Sequence, residues 1–261
     1  MLCLSGTDGE ILWEVDENVP IFEPTFGDEK IFVGNRCYSL DGEILWKGEK
    51  KIFGGDSGES TCFYDGKVYI CGTWSSVLRC LNAETGEQIW STYKKDPSDR
   101  ITFYSSPVAG FGRVFIAGKD NTYCLDHVNG NKIWIAPFGT SEKPDRFGRQ
   151  ETRGGGIAIS DSVVVLSGGR GTACMDIDSG EILWESDVKG CLPVIVGDKH
   201  VWTAIGGTLS CLSLSDGSTI IQKEYEKKRG DRAYSQVAVA KGKVFVSNCW
   251  QGRLHCFEME E

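Results

Sequence analysis

Apolar and polar positions alternate along this chain in short runs broken by glycine-bearing polar turns, and one unit of that pattern recurs. Its clearest copy is Cys80-Leu-Asn-Ala-Glu-Thr-Gly-Glu-Gln-Ile-Trp90. An apolar run ends on the cysteine side, a polar turn closes on Gly86, and a second short run finishes on Trp90. Thr85 and Gly86 suit a tight turn, because glycine takes positive φ without steric cost. Ile89 and Trp90 suit a pleated, packed surface. The unit returns from Cys3 to Trp13, Cys37 to Trp46, Cys124 to Trp134 and Cys174 to Trp184, and in worn form from Cys211 to Ile221. The tryptophans at 13, 46, 90, 134 and 184 are spaced by 33, 44, 44 and 50 residues, and a step of 37 reaches Ile221. Self-similarity at such a period marks a repeat architecture.

Between these units the pattern predicts further strands. Lys67-Val-Tyr-Ile-Cys71 is almost wholly apolar, as a strand buried on both faces reads. Arg113-Val-Phe-Ile-Ala, Val163-Val-Val-Leu, His200-Val-Trp-Thr-Ala and Lys243-Val-Phe-Val-Ser stand at the same place in later repeats. No stretch of ten or more residues carries a capped 3.6-residue apolar period, so the chain is expected to be all-β.

Two motifs, Cys80-x-Asn82-x-x-Thr85-Gly86-x-x-x-Trp90 and Cys174-x-Asp176-x-x-Ser179-Gly180-x-x-x-Trp184, carry a family resemblance. They resemble the tryptophan-docking repeat of the PQQ-like, quinoprotein-type β-propellers. The resemblance covers nearly the whole chain. It implies a six-bladed β-propeller of four-stranded antiparallel blades. Trp13, Trp46, Trp90, Trp134 and Trp184, with Gly9, Gly86, Gly130 and Gly180, would be its structural docking residues. A single domain is expected over residues 1–261, with blades at about 20–46, 60–90, 103–134, 154–184, 190–221 and 233–259 plus 10–15. The last of these stops after its third strand, and a fourth-strand pattern, Glu10 to Val15, stands near the start of the chain. Pairing of residues about 10–15 with about 253–258 is therefore expected to close the ring and remove two open sheet edges. Residues 2–5 then duplicate a third strand. A larger ring of seven or eight blades is the other reading.

The formal charge of −9 and pI of about 5.0 argue against whole-surface attraction to nucleic acid or anionic membrane. No apolar stretch approaches a membrane span, and Met1 to Asp8 lacks the basic and apolar regions of a signal peptide. Of eleven cysteines, Cys3, Cys37, Cys80, Cys124, Cys174, Cys211 and Cys256 hold equivalent places in the repeat. Equivalent spots on neighbouring blades are too far apart for a disulfide framework, so these read as small buried hydrophobes. A reducing cytoplasm is the expected compartment.

By the same resemblance, loops between blades and loops joining second to third strands share one face. Basic residues concentrate there, while the opposite turns are acidic, from Asp8 and Glu10 to Asp198 and Asp216. Binding is expected at this top face and the channel mouth through Trp74, Arg100, Arg146, Arg149, Arg153, Arg232, Tyr234 and Trp250. Arginine forks suit carboxylate or phosphate, and exposed tryptophan beside arginine is a common interface anchor. The expected function is a non-catalytic scaffold for protein partners. The alternatives are a PQQ-dependent oxidoreductase and a sensor of a small anion in the channel. The oxidoreductase reading lacks the vicinal cysteine pair and the run of Asp and Asn of a calcium loop that similar enzymes carry, and no cofactor is expected. His127, His200 and His255 lie singly, so no metal site is expected. Gly154-Gly-Gly156 and Gly168-Gly-Arg-Gly171 precede no helix and read as close turns, not phosphate loops. Cys191 and Cys249 fall near the same face, with no sequence sign of a lowered thiol pKa.

Overall fold

The computed structural model describes residues 1–15, 24–48, 59–72, 77–92, 101–141, 155–225, 235–248 and 253–259. Among them every regular element is a strand, and no helix is long and apolar enough to cross a membrane. Five four-stranded antiparallel sheets follow one another in chain order. They are β3–β6 (Thr25–Gly27, Lys30–Val33, Arg36–Ser39, Ile44–Lys47) and β7–β10 (Glu59–Tyr64, Lys67–Gly72, Leu78–Asn82, Gln88–Ser91), then β11–β14 (Val108–Gly110, Arg113–Ala117, Thr122–Asp126, Lys132–Ala136). After them come β15–β18 (Gly156–Ile159, Val163–Ser167, Thr172–Asp176, Ile182–Ser186) and β19–β22 (Val194–Val196, His200–Ile205, Thr208–Ser213, Thr219–Glu224). A two-stranded sheet, β1 (Leu2–Leu4) with β2 (Ile11–Glu14), precedes them, and a three-stranded one, β23–β25 (Ser235–Ala240, Lys243–Asn248, Arg253–Glu258), follows. β2 takes β1 as its partner, with Cys3 opposite Trp13.

The chain forms two compact units, residues 1–114 with 126–131, and residues 115–125 with 132–261. In four of the sheets the first two strands turn on two residues with positive φ. Asp65-Gly66 and Lys241-Gly242 are examples, with φ of 50° and 65°, and of 48° and 71°. That geometry matches the twist of a tight hairpin.

The third and fourth strands follow one register throughout. Cys37 faces Trp46, Cys80 faces Trp90, Cys124 faces Trp134, Cys174 faces Trp184 and Cys211 faces Ile221. In the turn between them the motif's Asn or Asp accepts two backbone N–H bonds. Asn82 Oδ1 takes those of Glu84 and Thr85 at 2.8 and 3.0 Å, and Asp126 Oδ1 those of Val128 and Asn129, both at 2.9 Å. The following glycine then stands at positive φ, 74° at Gly86 and 72° at Gly130.

Each tryptophan reaches the next repeat. In the first unit Trp13 Nε1 donates to the Leu40 carbonyl at 2.7 Å, Trp46 to Ala83 at 2.9 Å and Trp90 to His127 at 3.3 Å. In the second, Trp134 donates to Ile177 at 3.0 Å and Trp184 to Leu214 at 2.8 Å. The indole also covers a turn glycine. A Cβ on Gly42, Gly86, Gly130 or Gly180 would stand 2.6–2.9 Å from the ring of Trp13, Trp46, Trp90 or Trp134, and one on Gly217 would overlap Trp184. At Gly9 the same position is open. Around each indole the core alternates between repeats. Phe32, Cys37 and Trp46 pack with Val68, Ile70, Leu81 and Ala83, and Val165, Cys174 and Trp184 with Val201 and Leu212.

Burial explains five of the seven repeated cysteines; Cys3 is only half-buried and Cys256 is exposed, because each lies in an incomplete sheet. Cys37, Cys80, Cys124 and Cys174 are wholly inaccessible and Cys211 nearly so. Loss of water raises the thiols of Cys37 and Cys211 to about 11 and those of Cys80 and Cys174 to about 12, from an ordinary 9.0. Among the described residues every cysteine is a free thiol.

Two outcomes are expected. In urea denaturation Gly66→Ala, where a Cβ meets nothing, costs about 1–2 kcal/mol from its left-handed backbone alone. Gly130→Ala adds the overlap with Trp90 and costs about 2–5 kcal/mol. A raised thiol stabilises the fold fully below its unfolded pKa and ceases to as pH rises through the folded one. Stability therefore falls between pH 9.0 and about 12, and Cys174→Ala makes the fall measurably shallower.

Candidate functional site

The loops of the second unit form a belt held by backbone hydrogen bonds. Residues 118–121 join β12 to β13, and Gly118 N–H closes that loop on the Asn121 carbonyl at 2.8 Å. The segment leaving β14 lies against it, since Thr140 N–H donates to Gly118 at 3.1 Å and Ser141 N–H to Lys119 at 3.0 Å. The next loop, Gly168 to Gly171, joins β16 to β17 and sends Gly169 N–H back to the Thr140 carbonyl at 3.0 Å. The segment leaving β18 repeats the step through Gly190 N–H to Gly168 at 3.4 Å. Loops joining second to third strands and loops joining sheet to sheet thus lie together in this unit.

Threonines at the start of the third strands hook those outgoing segments. Thr122 Oγ1 donates to the Phe138 carbonyl and Thr172 Oγ1 to Val188, both at 2.7 Å. Ser167 Oγ lies 2.8 Å from Thr172 Oγ1 and 3.1 Å from Thr203 Oγ1, all buried. Buried hydroxyls of this kind must be bonded to one another or to backbone. Gly190 fills the remaining space, because a Cβ there would overlap Thr203 Oγ1 and Ser167 Oγ.

One side chain stands out of this belt into a cleft of about 310 Å³. The guanidinium of Arg170 lies 4.5 Å from the centroid of the Phe138 ring. Its Nη1 donates to the Pro137 carbonyl at 3.1 Å, and its Nη2 is 3.6 Å from Glu185 Oε2. Ser186, Asp187 and Lys189 complete the polar lining. The glycine run that reads from sequence as a close turn is one: Gly171 has φ of 143°, and a Cβ on it would overlap the Ser186 carbonyl. That contact fixes the backbone carrying Arg170. Sequence reading passed over Arg170 because the glycines around it explain the turn by themselves. The available signal was an arginine at the tip of a second-to-third-strand loop.

Trp74, Arg100, Arg146, Arg149, Arg153, Arg232, Tyr234 and Trp250 all lie outside the described residues, as does Cys249. Cys191 is buried, and its N–H bonds the Ala204 carbonyl at 3.2 Å. The turns at the other ends of the strands carry exposed acids. Serine hydroxyls lower two of them: Ser5 holds the carboxyl of Asp8, and Ser218 that of Asp216, below the usual range. His127 sits among these turns in the first unit. Its carbonyl receives Tyr69 Oη and Trp90 Nε1, and its Nδ1 is 3.8 Å from Asp65. Among the described residues no three His, Cys, Asp or Glu side chains converge as a metal would need.

The family model described as "Outer membrane protein assembly factor BamB" matches residues 2–224. The chain belongs to this family. A protein of that name from Yersinia pestis is 22% identical over 188 residues, covering 68% of this chain and 46% of the relative. The chain spans less than half the length of the curated relatives it matches. Among solved structures, BamB from Moraxella catarrhalis superposes with a TM-score of 0.65 at 17% identity, over 97% of this chain and 81% of that one. The quinohemoprotein alcohol dehydrogenase of Comamonas testosteroni superposes with a TM-score of 0.55 at 16% identity, over 78% of this chain and 42% of that one. Likeness at such identity concerns the fold alone. The PQQ-like resemblance carried by the repeat is thereby shown. The cytoplasmic expectation is overturned, because the matched relatives are named for assembly at the outer membrane. Its physical basis was too narrow. Cysteines sealed in a core stay free thiols whatever the redox state outside, so their lack of bridges does not report the compartment.

Gly190→Ala is expected to lower stability by about 1–3 kcal/mol through overpacking, read from its urea midpoint, and Thr203→Ala in the same chain to restore part of the loss.

Proposed function

We propose that this chain is a non-catalytic interaction scaffold that takes a protein partner on its loop face and uses no cofactor. Two findings support the reading: the family's description as an assembly factor, and the belt of loops from which Arg170 projects. Backbone bonds and buried hydroxyls hold that belt together, so the exposed side chains at its loop tips have no folding duty and remain available to a partner. Trp74, Arg100, Arg146, Arg149, Arg153, Arg232, Tyr234 and Trp250 belong to the same loops by the repeat and are proposed as the remainder of the face.

In the architecture that goes with this reading, residues 1–261 form one propeller domain. Its six blades are about 20–46, 60–90, 103–134, 154–184, 190–221 and 233–259 plus 10–15, and residues 10–15 close the ring beside 253–258. Closure of this kind would require residues 253–258 to take the place that Leu2–Leu4 holds beside Ile11–Glu14, where Cys3 faces Trp13. Partners are expected among proteins of outer-membrane protein assembly, as the names of the relatives suggest.

Capture of such proteins by the immobilised chain tests the reading. Arg149→Ala and Trp250→Ala are each expected to weaken capture by about 1 kcal/mol or more, and Asp216→Ala on the acidic turns to leave it unchanged. Equal capture by all three variants would refute the proposed face.

A further inference from the structure

The cleft at Arg170 has a lining whose charges come in two opposed pairs. Arg170 and Lys189 are basic, and Glu185 and Asp187 are acidic. Arg170 is oriented mainly by uncharged groups, the Phe138 ring beneath it and the Pro137 carbonyl at its Nη1. Its contact with Glu185 is long, 3.6 Å, and Glu185 is about half exposed, with 47% of its side chain accessible. A pair of that kind contributes little and is readily parted. An incoming carboxylate could thus meet a guanidinium already held in place by the Pro137 carbonyl and the Phe138 ring, taking up the N–H groups that the long Glu185 contact leaves weakly engaged.

The acidic pair decides what else such a ligand must carry. A simple anion at Arg170 would stand beside Glu185 and Asp187 and be repelled. A simple cation at those carboxylates would stand beside Arg170 and Lys189. A molecule bearing both charges a short distance apart meets both kinds of group, and the mixed lining selects against the others. A volume of about 310 Å³ admits a small solute and not a folded element.

We propose that this cleft binds a small zwitterion of the α-amino acid type, its carboxylate on Arg170 and its ammonium toward Asp187 and Glu185. The cleft lies on the loop face proposed for a partner, and its test is made on the chain alone. Free amino acids and short peptides share this chemistry, differing in the separation of their two charges.

The test is a titration followed by the amide signals of Gly169, Arg170 and Asp187 in nitrogen–proton correlation spectra of the whole chain. The probes are L-alanine, triglycine, acetate and methylammonium. L-alanine is expected to shift these signals saturably at millimolar concentration, and acetate and methylammonium to bind about tenfold more weakly or worse. Triglycine binding as tightly as L-alanine would assign the site to peptides, and weaker binding would assign it to free amino acids. Arg170→Ala removes the response, and Arg170→Lys, which keeps the charge without the fork, loses most of it. Asp187→Asn weakens L-alanine binding and strengthens that of acetate, a reversal that loss of folding would not produce. The proposal is overturned if L-alanine gives no saturable shift, if acetate matches it, or if Arg170→Ala titrates like the parent chain.

Discussion

The structure depends on an indole laid on a glycine of the next repeat, with its N–H on a carbonyl of the same turn. The ring supplies apolar area, the glycine supplies the absence of a Cβ, and the hydrogen bond sets the angle between them. None of the three suffices alone. A buried indole N–H without a partner would cost more than a hydrogen bond gives. A Cβ at Gly86 or Gly130 would stand 2.6–2.7 Å from the ring, closer than contact allows, so the ring could not keep its place. The motif's Asn or Asp serves this contact indirectly, by tying down the two N–H groups before the glycine so that the turn presents a flat floor.

Where the dock is missing, the packing changes kind. Ile221 replaces tryptophan opposite Cys211, and the contact with the last sheet passes to aromatic side chains further along. Tyr225 lies 4.7 Å from His255 and 6.0 Å from Phe257 between ring centroids, and Lys223 Nζ is 5.3 Å from the Phe257 ring. Tyr225 and Phe257 sit with Trp202, Leu209 and Val246 in one core. The worn copy in the sequence therefore marks a real change of mechanism. A shape-specific dock gives way to a less directional cluster, which tolerates more substitution at each position.

The division between what could and could not be read from the sequence follows the same line. Strand order and the Cys–Trp register were legible because the dock imposes identical demands at every repeat, and identical demands leave identical residues. Gly42 and Gly217 were harder to find. The unit from Cys37 to Trp46 is one residue short, and the Ser213 to Gly217 turn has no tryptophan after it, although each receives the ring of the preceding repeat. Arg170 was illegible for the opposite reason. It occurs once, on a loop whose glycines already account for the backbone, so no repetition draws attention to it. The compartment was misjudged because core packing and redox state act on the same residue type, and burial accounts for the free thiols of Cys37, Cys80, Cys124, Cys174 and Cys211.

This separation of duties explains how such a fold can be adapted. The strands answer to the dock. The loops of the second unit answer to main-chain bonds, Gly169 to Thr140 and Gly190 to Gly168, with a few buried hydroxyls such as Ser167, Thr172 and Thr203. Main-chain bonds are indifferent to side-chain identity, so a residue at a loop tip can change without disturbing the register of either neighbouring sheet. Arg170 is such a residue: its support comes from a ring and a carbonyl that the fold places there anyway. Binding chemistry on this scaffold therefore accumulates where the repeat is silent, and positions at which the copies differ most are the ones whose side chains are free to meet another molecule.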